Sequence, residues 1–332
     1  MEIADLPVAL DAMGGDRAPE EIVAGALEAA GAGLPVLLVG PDDGTLGDVG
    51  GLEILPAFEV IEMKDDPGKA VRTKKDSSLV RAAEAVRDGR ASAMVSAGNT
   101  GATMASALLR MGRLKGVSRP CIATPLPVPG GSPTVMVDAG ANADCQPEWL
   151  LQFAQMGAAF YTERYGAARP KVALLSIGEE SSKGNQLTKE THERLAAGSG
   201  VDGFDFIGNV EGRDLLTGEA DVIVTDGFTG NVALKTLEGA LKTFMNLLGG
   251  VMSANDAAKA ASEVLLPGLL EASAPLDPEA TGGAMLLGVD GVCIISHGSS
   301  SRRAIVNAIR VGHDLASRGL SGKVAAAVQP PG

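Results

Sequence analysis

Six apolar runs in this chain end in turns that combine glycine with amide, hydroxyl, carboxylate or imidazole side chains. Glycine lets backbone N–H groups approach a ligand closely, and the polar side chains add hydrogen-bonding atoms at fixed positions. This chemistry suits a small, highly charged ligand such as phosphate. The six runs with their turns cover residues 8–16, 94–103, 135–142, 172–185, 222–231 and 292–301.

The candidate phosphate-binding residues come from these turns. Any single turn of this kind is also consistent with a purely structural role, since Gly, Asp and Asn are common turn residues. The turn aspartates cannot all lie beside a phosphate as carboxylates, because like charges repel, so some must cap turns or orient donors. The candidates are Asp11, Gly14, Gly15, Asp16, Ser96, Asn99, Thr100, Gly101, Asn142, Lys183, Gly184, Asn185, Gly227, Gly230 and Ser299.

The elements between the turns predict the fold. A continuous apolar, β-branched run is typical of a strand buried on both faces, as in a parallel sheet covered by helices. Residues 19–32, 76–88, 147–165, 232–252 and 301–316 have the composition or apolar spacing of helices. We therefore expect an α/β fold, a three-layer α/β/α sandwich with a mostly parallel sheet, in a single domain spanning residues 1–332. The six turns should then gather at one edge of the sheet, where such folds bind ligands.

The composition restricts the class of protein. The chain has 332 residues, 45% of them hydrophobic, and a net charge of −13, which argues against a nucleic-acid partner. The cysteines Cys121, Cys145 and Cys293 have no paired spacing, which indicates reduced thiols and predicts no metal site. The sequence shows no signal-peptide pattern and no run of transmembrane length. We therefore expect a cytoplasmic protein.

Basic residues are concentrated between residues 64 and 119 of this otherwise acidic chain. They form either solvated helix faces or a local positive patch for an acidic partner. The residues assigned to the second role are Arg72, Lys74, Lys75 and Arg81.

One segment interrupts the alternation of strands and helices. Between residues 253 and 280, helix-favouring residues surround the sequence LLPGLL at 265–270, which predicts a helical hairpin with an apolar tip that turns at the Pro-Gly pair. The hairpin either packs against the body of the protein or a second subunit, or inserts its tip into a membrane interface. The residues assigned to membrane contact are Leu265, Leu266, Leu269 and Leu270.

Eight motifs carry a resemblance to a known family. In chain order they are LDAMGGDRAPEEIVAGA, DDPGKAVRTKKDSS, VSAGNTGAT, VDAGAN, IGEESSKGN, DVIVTDGFTGNVALK, GGAMLLGVDG and HGSSS. Between Leu10 and about Asp314 the chain resembles the phosphate acyltransferases of bacterial phospholipid synthesis. In that family an acyl chain moves from acyl carrier protein to inorganic phosphate, and a membrane glycerol-3-phosphate acyltransferase uses the acyl phosphate product.

The resemblance has further implications. It implies a homodimeric α/β/α fold related to phosphotransacetylases and to the isopropylmalate dehydrogenase group, without a metal or organic cofactor. It also implies a helical hairpin near the dimer interface, at residues 241–278 here. Acyl carrier protein and phosphate are the implied partners. Contacts with the membrane enzyme and peripheral association with the membrane surface stay open.

The implied reaction needs bound phosphate, a donor for the thioester oxyanion and assistance for the leaving thiolate. His297 lies in a strand-end turn and suits either of the last two needs as an imidazole near neutral pH. Lys235 lies one turn into the helix that follows Asn231, where anions are favoured, and is a candidate countercharge for phosphate. Asn231 and Asp226 complete the predicted catalytic set. The alternatives are a structural hydrogen-bonding role for His297 and a surface position for Lys235.

The chain departs from the family pattern at two positions. Thr281 stands where the related enzymes often carry Tyr, and Ile295 stands where they often carry Lys. The second change puts any role of that lysine in doubt.

Three functions stay open. The motifs favour acyl transfer from acyl carrier protein to phosphate; the alternatives are a phosphotransacetylase acting on acyl coenzyme A and a non-catalytic anion-binding protein. A nicotinamide dehydrogenase is disfavoured, because residues 12–16 (AMGGD) lack the GxGxxG fingerprint.

Overall fold

The computed structural model describes residues 5–328, without the side chains of residues 272, 275 and 278. The strands are β1 (Val8–Asp11), β2 (Val36–Gly40), β3 (Ile54–Pro56), β4 (Ala93–Ser96), β5 (Cys121–Leu126), β6 (Thr134–Val137), β7 (Lys171–Leu175), β8 (Asp205–Val210), β9 (Val222–Val224), β10 (Ala284–Leu287) and β11 (Val292–Ile295). They form one sheet in the order β3-β2-β1-β4-β11-β10-β5-β6-β9-β7-β8. All six predicted apolar runs are strands: β1, β4, β6, β7, β9 and β11.

Helices connect most of the strands. They are α1 (Glu20–Gly31), α2 (Pro67–Thr73), α3 (Ser78–Arg87), α4 (Thr100–Ser106), α5 (Pro147–Tyr165), α6 (Gln186–Gly198), α7 (Gly227–Met252), α8 (Asp256–Ser273), α9 (Arg302–Ser317) and α10 (Leu320–Val328). A π-helical turn, Ala107–Met111, continues α4. The predicted helix at residues 147–165 is confirmed as α5, which has Pro147 in its first turn and ends at Gly166 in the left-handed conformation with φ of 83°.

Alternating strand residues feed two separate cores, one on each face of the sheet. On the first face, residues such as Val8 and Leu10 pack with α1, α5, α9 and α10. On the second face, residues such as Ala9 and Met94 pack with α2, α3 and α4, and Leu234 and Leu237 of α7 lie against the same core. The three-layer α/β/α sandwich is therefore confirmed.

The sheet is mostly parallel but changes direction in the middle. Strands β1 to β4 and β11 run parallel to one another, and so do β6 to β9. The antiparallel pairings lie between them and involve β10 and β5. Because three antiparallel steps separate β11 from β6, the two parallel groups point in opposite directions.

This reversal corrects the prediction that all six turns gather at one edge of the sheet. The turns after β1, β4 and β11 lie at one edge, and those after β6, β7 and β9 lie at the other. Apolar periodicity predicts a buried strand but carries no information on its direction, so the sequence could not separate the two groups.

The helical segment around residues 253–280 also differs from its prediction. Pro267 lies inside α8, and the chain turns between α7 and α8 at Ser253–Asn255 instead of at the Pro-Gly pair. The Ser262 hydroxyl of α8 donates to the carbonyl oxygen of Met252 in α7 at 3.1 Å, which ties the two helices together near this turn. The leucines at 265–270 are therefore on the flank of a helix rather than at the tip of the hairpin.

Both hairpin helices expose apolar side chains. Leu265, Leu266 and Leu270 are exposed and Leu269 is half-buried. Exposed apolar residues of α7 include Phe244, Leu247 and Val251. Among residues 5–328, no helix combines the length and apolar character that crossing a membrane requires.

Candidate functional site

A cavity of about 530 Å³ lies on the second face of the sheet, over the antiparallel strands in its middle. Ile122 and Thr124 of β5, Ala284 of β10 and Ile295 of β11 line its floor. The start of α4 lines one side and α7 lines the other. Strands of about four residues span only about 13 Å, so turns from both edges of the sheet reach the same cavity.

Five of the predicted site residues line this cavity. They are Thr100, Asn231, Lys235, His297 and Ser299.

His297 is exposed to the cavity in the turn after β11. Its Nδ1 lies 3.0 Å from the hydroxyl oxygen of Ser299. This pair fixes one ring nitrogen and leaves the other for a ligand.

Lys235 and Asn231 reach the cavity from consecutive turns of α7. The Lys235 ammonium forms an ion pair with Glu238 at 2.8 Å, and both residues line the cavity. The Asn231 amide donates to the carbonyl oxygen of Ala139 at 3.3 Å, which joins α7 to the turn after β6. Lys235 is therefore placed to bind an anion in the cavity, and the Glu238 carboxylate would compete with that anion for the ammonium group.

Asp11 does not line the cavity; it is buried beneath the turn after β1. Its carboxylate accepts hydrogen bonds from the hydroxyls of Ser78 at 2.6 Å and Ser96 at 2.7 Å, and from the backbone N–H of Met13. Burial raises the pKa of Asp11, and these three hydrogen bonds oppose the shift. Asp11 thus holds together β1, α3 and β4 at the base of the site.

The neighbouring turns are fixed by similar local contacts. The Ser96 hydroxyl accepts the N–H of Gly98, a cavity residue. The Asn99 side chain caps α4 by accepting the N–H of Ala102, and its amide donates to the carbonyl oxygen of Met63 at 2.9 Å. Asn99 therefore positions the loop that carries Met63, and its side chain does not line the cavity.

Four more candidates pack these turns against one another. The N–H of Asp16 donates to the carbonyl oxygen of Gly298 at 2.8 Å. Gly14 and Gly101 leave no room for a side chain, because a Cβ would collide with Asp11 and with Pro67 respectively. Gly15 adopts φ of 109°, which only glycine accepts readily.

A second buried carboxylate, Asp138, organises the turn after β6. It accepts backbone N–H groups from Ile122, Gly140, Ala141 and Asn142, together with the Asn142 side-chain amide. Burial raises the pKa of Asp138, and these donors oppose the shift. Asn142 also donates to Pro120, so its side chain is used within the fold.

The start of α7 packs directly on this turn. Asp226 caps the helix by accepting the N–H and the hydroxyl of Thr229, both at 2.8 Å. The N–H of Gly227 donates to the carbonyl oxygen of Asn142. A Cβ at Gly230 would collide with the backbone of Asp138. Asp226, Gly227 and Gly230 thus set the position of α7, which carries Asn231 and Lys235.

The turn after β7 lies away from the cavity, since β9 separates β7 from β6 in the sheet. Lys183 is exposed, Gly184 adopts φ of 95°, and Asn185 caps α6 through the N–H of Thr188. The cavity residues in the described part of the chain include none of these three.

The candidate carrier-binding residues divide into two pairs. Lys74 donates to the carbonyl oxygen of Val60 and forms a 2.6 Å ion pair with Asp65, while Arg81 pairs with Glu84 at 3.1 Å. Arg72 and Lys75, by contrast, are exposed. Lys74 and Arg81 therefore support their own segment, and Arg72 and Lys75 face solvent.

Several residues that line the cavity were not predicted as site residues from the sequence. Met63 lines the rim, and its ε-methyl lies 3.2 Å from where a Cβ of Gly298 would be. Glu279 also lines the cavity and accepts the hydroxyl of Ser301 at 2.7 Å. The only signal for Met63 was its position just before the basic stretch. Among residues 5–328, no group of three or more His, Cys, Asp or Glu side chains is arranged to hold a metal ion.

Comparison with solved structures identifies the fold. A phosphotransacetylase from Streptococcus pyogenes superposes with a TM-score of 0.61 at 18% identity, and the match covers 94% of each chain. A 4-hydroxythreonine-4-phosphate dehydrogenase from Klebsiella pneumoniae superposes with a TM-score of 0.51 at 13% identity, covering 94% of this chain and all of that one. At these identities the similarity is one of fold.

Comparison of sequences identifies the family. Residues 6–323 match the family model described as "Fatty acid synthesis protein". The chain is 48% identical to a phosphate acyltransferase of Anaeromyxobacter dehalogenans (strain 2CP-C), over 98% of this chain and 91% of that protein. It is 43% identical to a phosphate acyltransferase of Bacillus pumilus, over 97% of each. The chain therefore belongs to the fatty acid synthesis protein family that includes these phosphate acyltransferases.

Proposed function

We propose that this protein transfers an acyl group from the thioester of acyl carrier protein to inorganic phosphate, forming acyl phosphate for phospholipid synthesis. The observation that carries the proposal is the central cavity, which combines an apolar floor with His297, Asn231 and Lys235 at its polar rim. The chain belongs to the family that includes the phosphate acyltransferases, which supports the same reaction.

The reaction balances within this cavity. An oxygen of hydrogen phosphate attacks the thioester carbonyl carbon, and a C–O bond forms. The C–S bond then breaks and releases the carrier thiolate, which takes up the proton that the phosphate gives up. Lys235 supplies positive charge to the phosphate. The Asn231 amide donates to the carbonyl oxygen of Ala139 and so fixes the start of α7, which carries Lys235. When Nδ1 of His297 accepts the Ser299 hydroxyl, Nε2–H is free to donate to the thioester oxyanion.

Phosphate must remain nucleophilic while it is held. One lysine, partly neutralised by Glu238, binds the anion less tightly than a cluster of cations would. The buried Asp11 and Asp138 shape the surrounding turns without contributing side chains to the cavity. Their role is therefore to position cavity residues rather than to bind phosphate.

The carrier approaches from the side of α2. An acidic carrier needs a local basic surface on a chain with net charge −13. Arg72 and Lys75 are exposed there, and Met63 connects this surface to the His297 turn. We assign carrier docking to Arg72 and Lys75, with Lys74 and Arg81 maintaining the segment.

The exposed apolar side of the hairpin is the proposed contact for a second copy of the chain. Val264 is 80% exposed and Leu247 is 66% exposed, which is unusual for large apolar side chains that stay in water. Peripheral contact with a membrane surface is the alternative, and the two are distinguished by oligomeric state and vesicle binding.

The alternative enzymatic function is that of a phosphotransacetylase, and the fold similarity to such an enzyme is the observation that supports it. In that case the donor is an acyl coenzyme A. The purified protein should be incubated with phosphate and either acyl carrier protein thioester or the matching acyl coenzyme A, and acyl phosphate quantified. A clear preference for the carrier thioester supports the proposed function, and a preference for coenzyme A supports the alternative.

A further inference from the structure

The floor of the central cavity forms a largely apolar path across three strands, β11, β10 and β5, to the turn after β6. Ile295 pairs with Ala284, and the register that pairs Met285 with Ala123 places Ala284 next to Thr124. Ile122 lies two residues from Thr124 on the same face of β5, and Ala139 donates its N–H to the carbonyl oxygen of Ile122. The path therefore leads from the His297 turn towards α7.

The geometry points to an acyl-chain channel along this path, with Ile122 controlling how long a chain fits. The inference rests on the proposed acyl transfer and specifies where that substrate lies. The thioester carbonyl is at the Ile295 end, two residues from His297. The methyl end of the chain points towards Ile122 and Ala139, beneath Leu234 of α7.

The apolar character of the floor supports this occupant. Ile122 and Ile295 are almost fully buried by the protein, at 5% and 6% exposure, and their remaining surface faces the cavity. A phosphate has no favourable contact with such a surface, whereas an alkyl chain gains from covering it. The polar residues His297 and Ser299 lie at the Ile295 end of the path, where the reacting groups must be.

The dimensions of the path predict which acyl chains reach Ile122. Neighbouring strands are about 4.8 Å apart, so β5 lies about 10 Å from β11 along the path. With carbon–carbon bonds of about 1.5 Å, an extended alkyl chain advances about 1.3 Å per carbon. A six-carbon acyl chain therefore ends before Ile122, and a twelve-carbon chain extends past it.

The test compares acyl carrier protein thioesters of six and twelve carbons. We expect Ile122→Phe to narrow the channel and lower the ratio of kcat/KM for the long chain to that for the short chain by at least tenfold. Ile122→Ala should raise this ratio, which keeps the test decisive if the larger side chain impairs folding. Leu126→Ala is the matched control, because Leu126 is buried on the same face of β5 but does not line the cavity.

Two results would overturn the channel: a ratio that stays constant in both Ile122 variants, or one that changes equally in Leu126→Ala. Binding of hexyl and dodecyl phosphonate, measured by calorimetry, gives a readout independent of turnover. If wild type makes no acyl phosphate but still binds dodecyl phosphonate more weakly after Ile122→Phe, the proposed reaction fails and the channel stands. If Ile122→Phe leaves both phosphonate affinities unchanged, the channel is wrong.

Discussion

The ammonium group of Lys235 lies 2.8 Å from the carboxylate of Glu238, and both side chains line the central cavity. In the proposed reaction, phosphate competes with Glu238 for the ammonium group of Lys235. We expect Glu238→Gln to lower the KM for phosphate by up to about fivefold, since a solvent-exposed ion pair contributes about 1 kcal/mol or less. Steady-state kinetics with varied phosphate measure the effect. An increased KM would mean that Glu238 orients Lys235 for phosphate instead of competing with it.

His297 and Lys235 should affect turnover without affecting the fold, because both are exposed in the cavity. His297→Ala should reduce kcat on the order of a hundredfold, the typical cost of losing an oxyanion donor. Lys235→Ala should act mainly on the KM for phosphate. Thermal unfolding by circular dichroism provides the control for folding. A near-normal kcat for His297→Ala, or an unchanged KM for phosphate in Lys235→Ala, would contradict the assigned roles.

The buried carboxyl of Asp11 predicts a specific dependence of stability on pH. Burial raises its pKa above the usual 3.8, so the folded state holds the proton more tightly than the unfolded state does. The stability contributed by this group is therefore complete below a pH of about 4 and declines as pH rises through the folded pKa. The Tm of wild type minus that of Asp11→Asn should decrease from pH 4 to pH 8. A difference that grows with pH would indicate a lowered pKa.

The basic residues near α2 should have two different roles, docking of the carrier for Arg72 and Lys75 and support of the local structure for Lys74. Arg72→Glu combined with Lys75→Glu should raise the KM for the carrier thioester and flatten its salt dependence, without changing the KM for phosphate or the Tm. Lys74→Glu is the comparison, because it breaks the ion pair with Asp65 and should lower the Tm as well. If the Arg72 and Lys75 change alters the KM for phosphate in parallel, this surface shapes the cavity rather than the docking site.

The hairpin prediction concerns assembly. Leu247→Asp combined with Val264→Asp places charges on the exposed apolar side of α7 and α8. We expect wild type to be a dimer and this variant to be a monomer. Light scattering coupled to size-exclusion chromatography measures the mass of each. Leu266→Asp with Leu270→Asp tests the alternative by liposome flotation. A wild-type monomer that floats with liposomes would contradict the dimer and support membrane contact.

The sequence predicted the elements better than their arrangement. The six apolar runs are strands because β-branched residues buried on both faces leave a clear pattern. Strand β10 (Ala284–Leu287) is also apolar, yet it is antiparallel to both of its neighbours. Its direction depends on contacts distant in sequence, and this reversal separates the turns into two groups.

The roles of individual site residues also could not be predicted from residue type alone. Asn99 and Asn142 have the right chemistry for phosphate, but their side chains are used within the fold. Asn99 bonds to backbone groups of Ala102 and Met63. The Asn142 amide donates to the carbonyl oxygen of Pro120 and to the carboxylate of Asp138. Asn and Asp side chains serve in caps and turns as readily as in ligand sites, so residue type alone cannot distinguish the two roles. His297 and Lys235, which the sequence assigns to catalysis, both line the cavity, whereas the strand order separates Lys183 from them.

Production of acyl phosphate is the most direct test of the proposed function. The purified protein, inorganic phosphate and acyl carrier protein thioester should yield acyl phosphate and free carrier thiol in equal amounts, and His297→Ala should reduce both together. Matching acyl coenzyme A should be a poorer donor. If wild type releases no thiol from the carrier thioester in the presence of phosphate, or forms acyl phosphate only from coenzyme A, the proposed function is wrong.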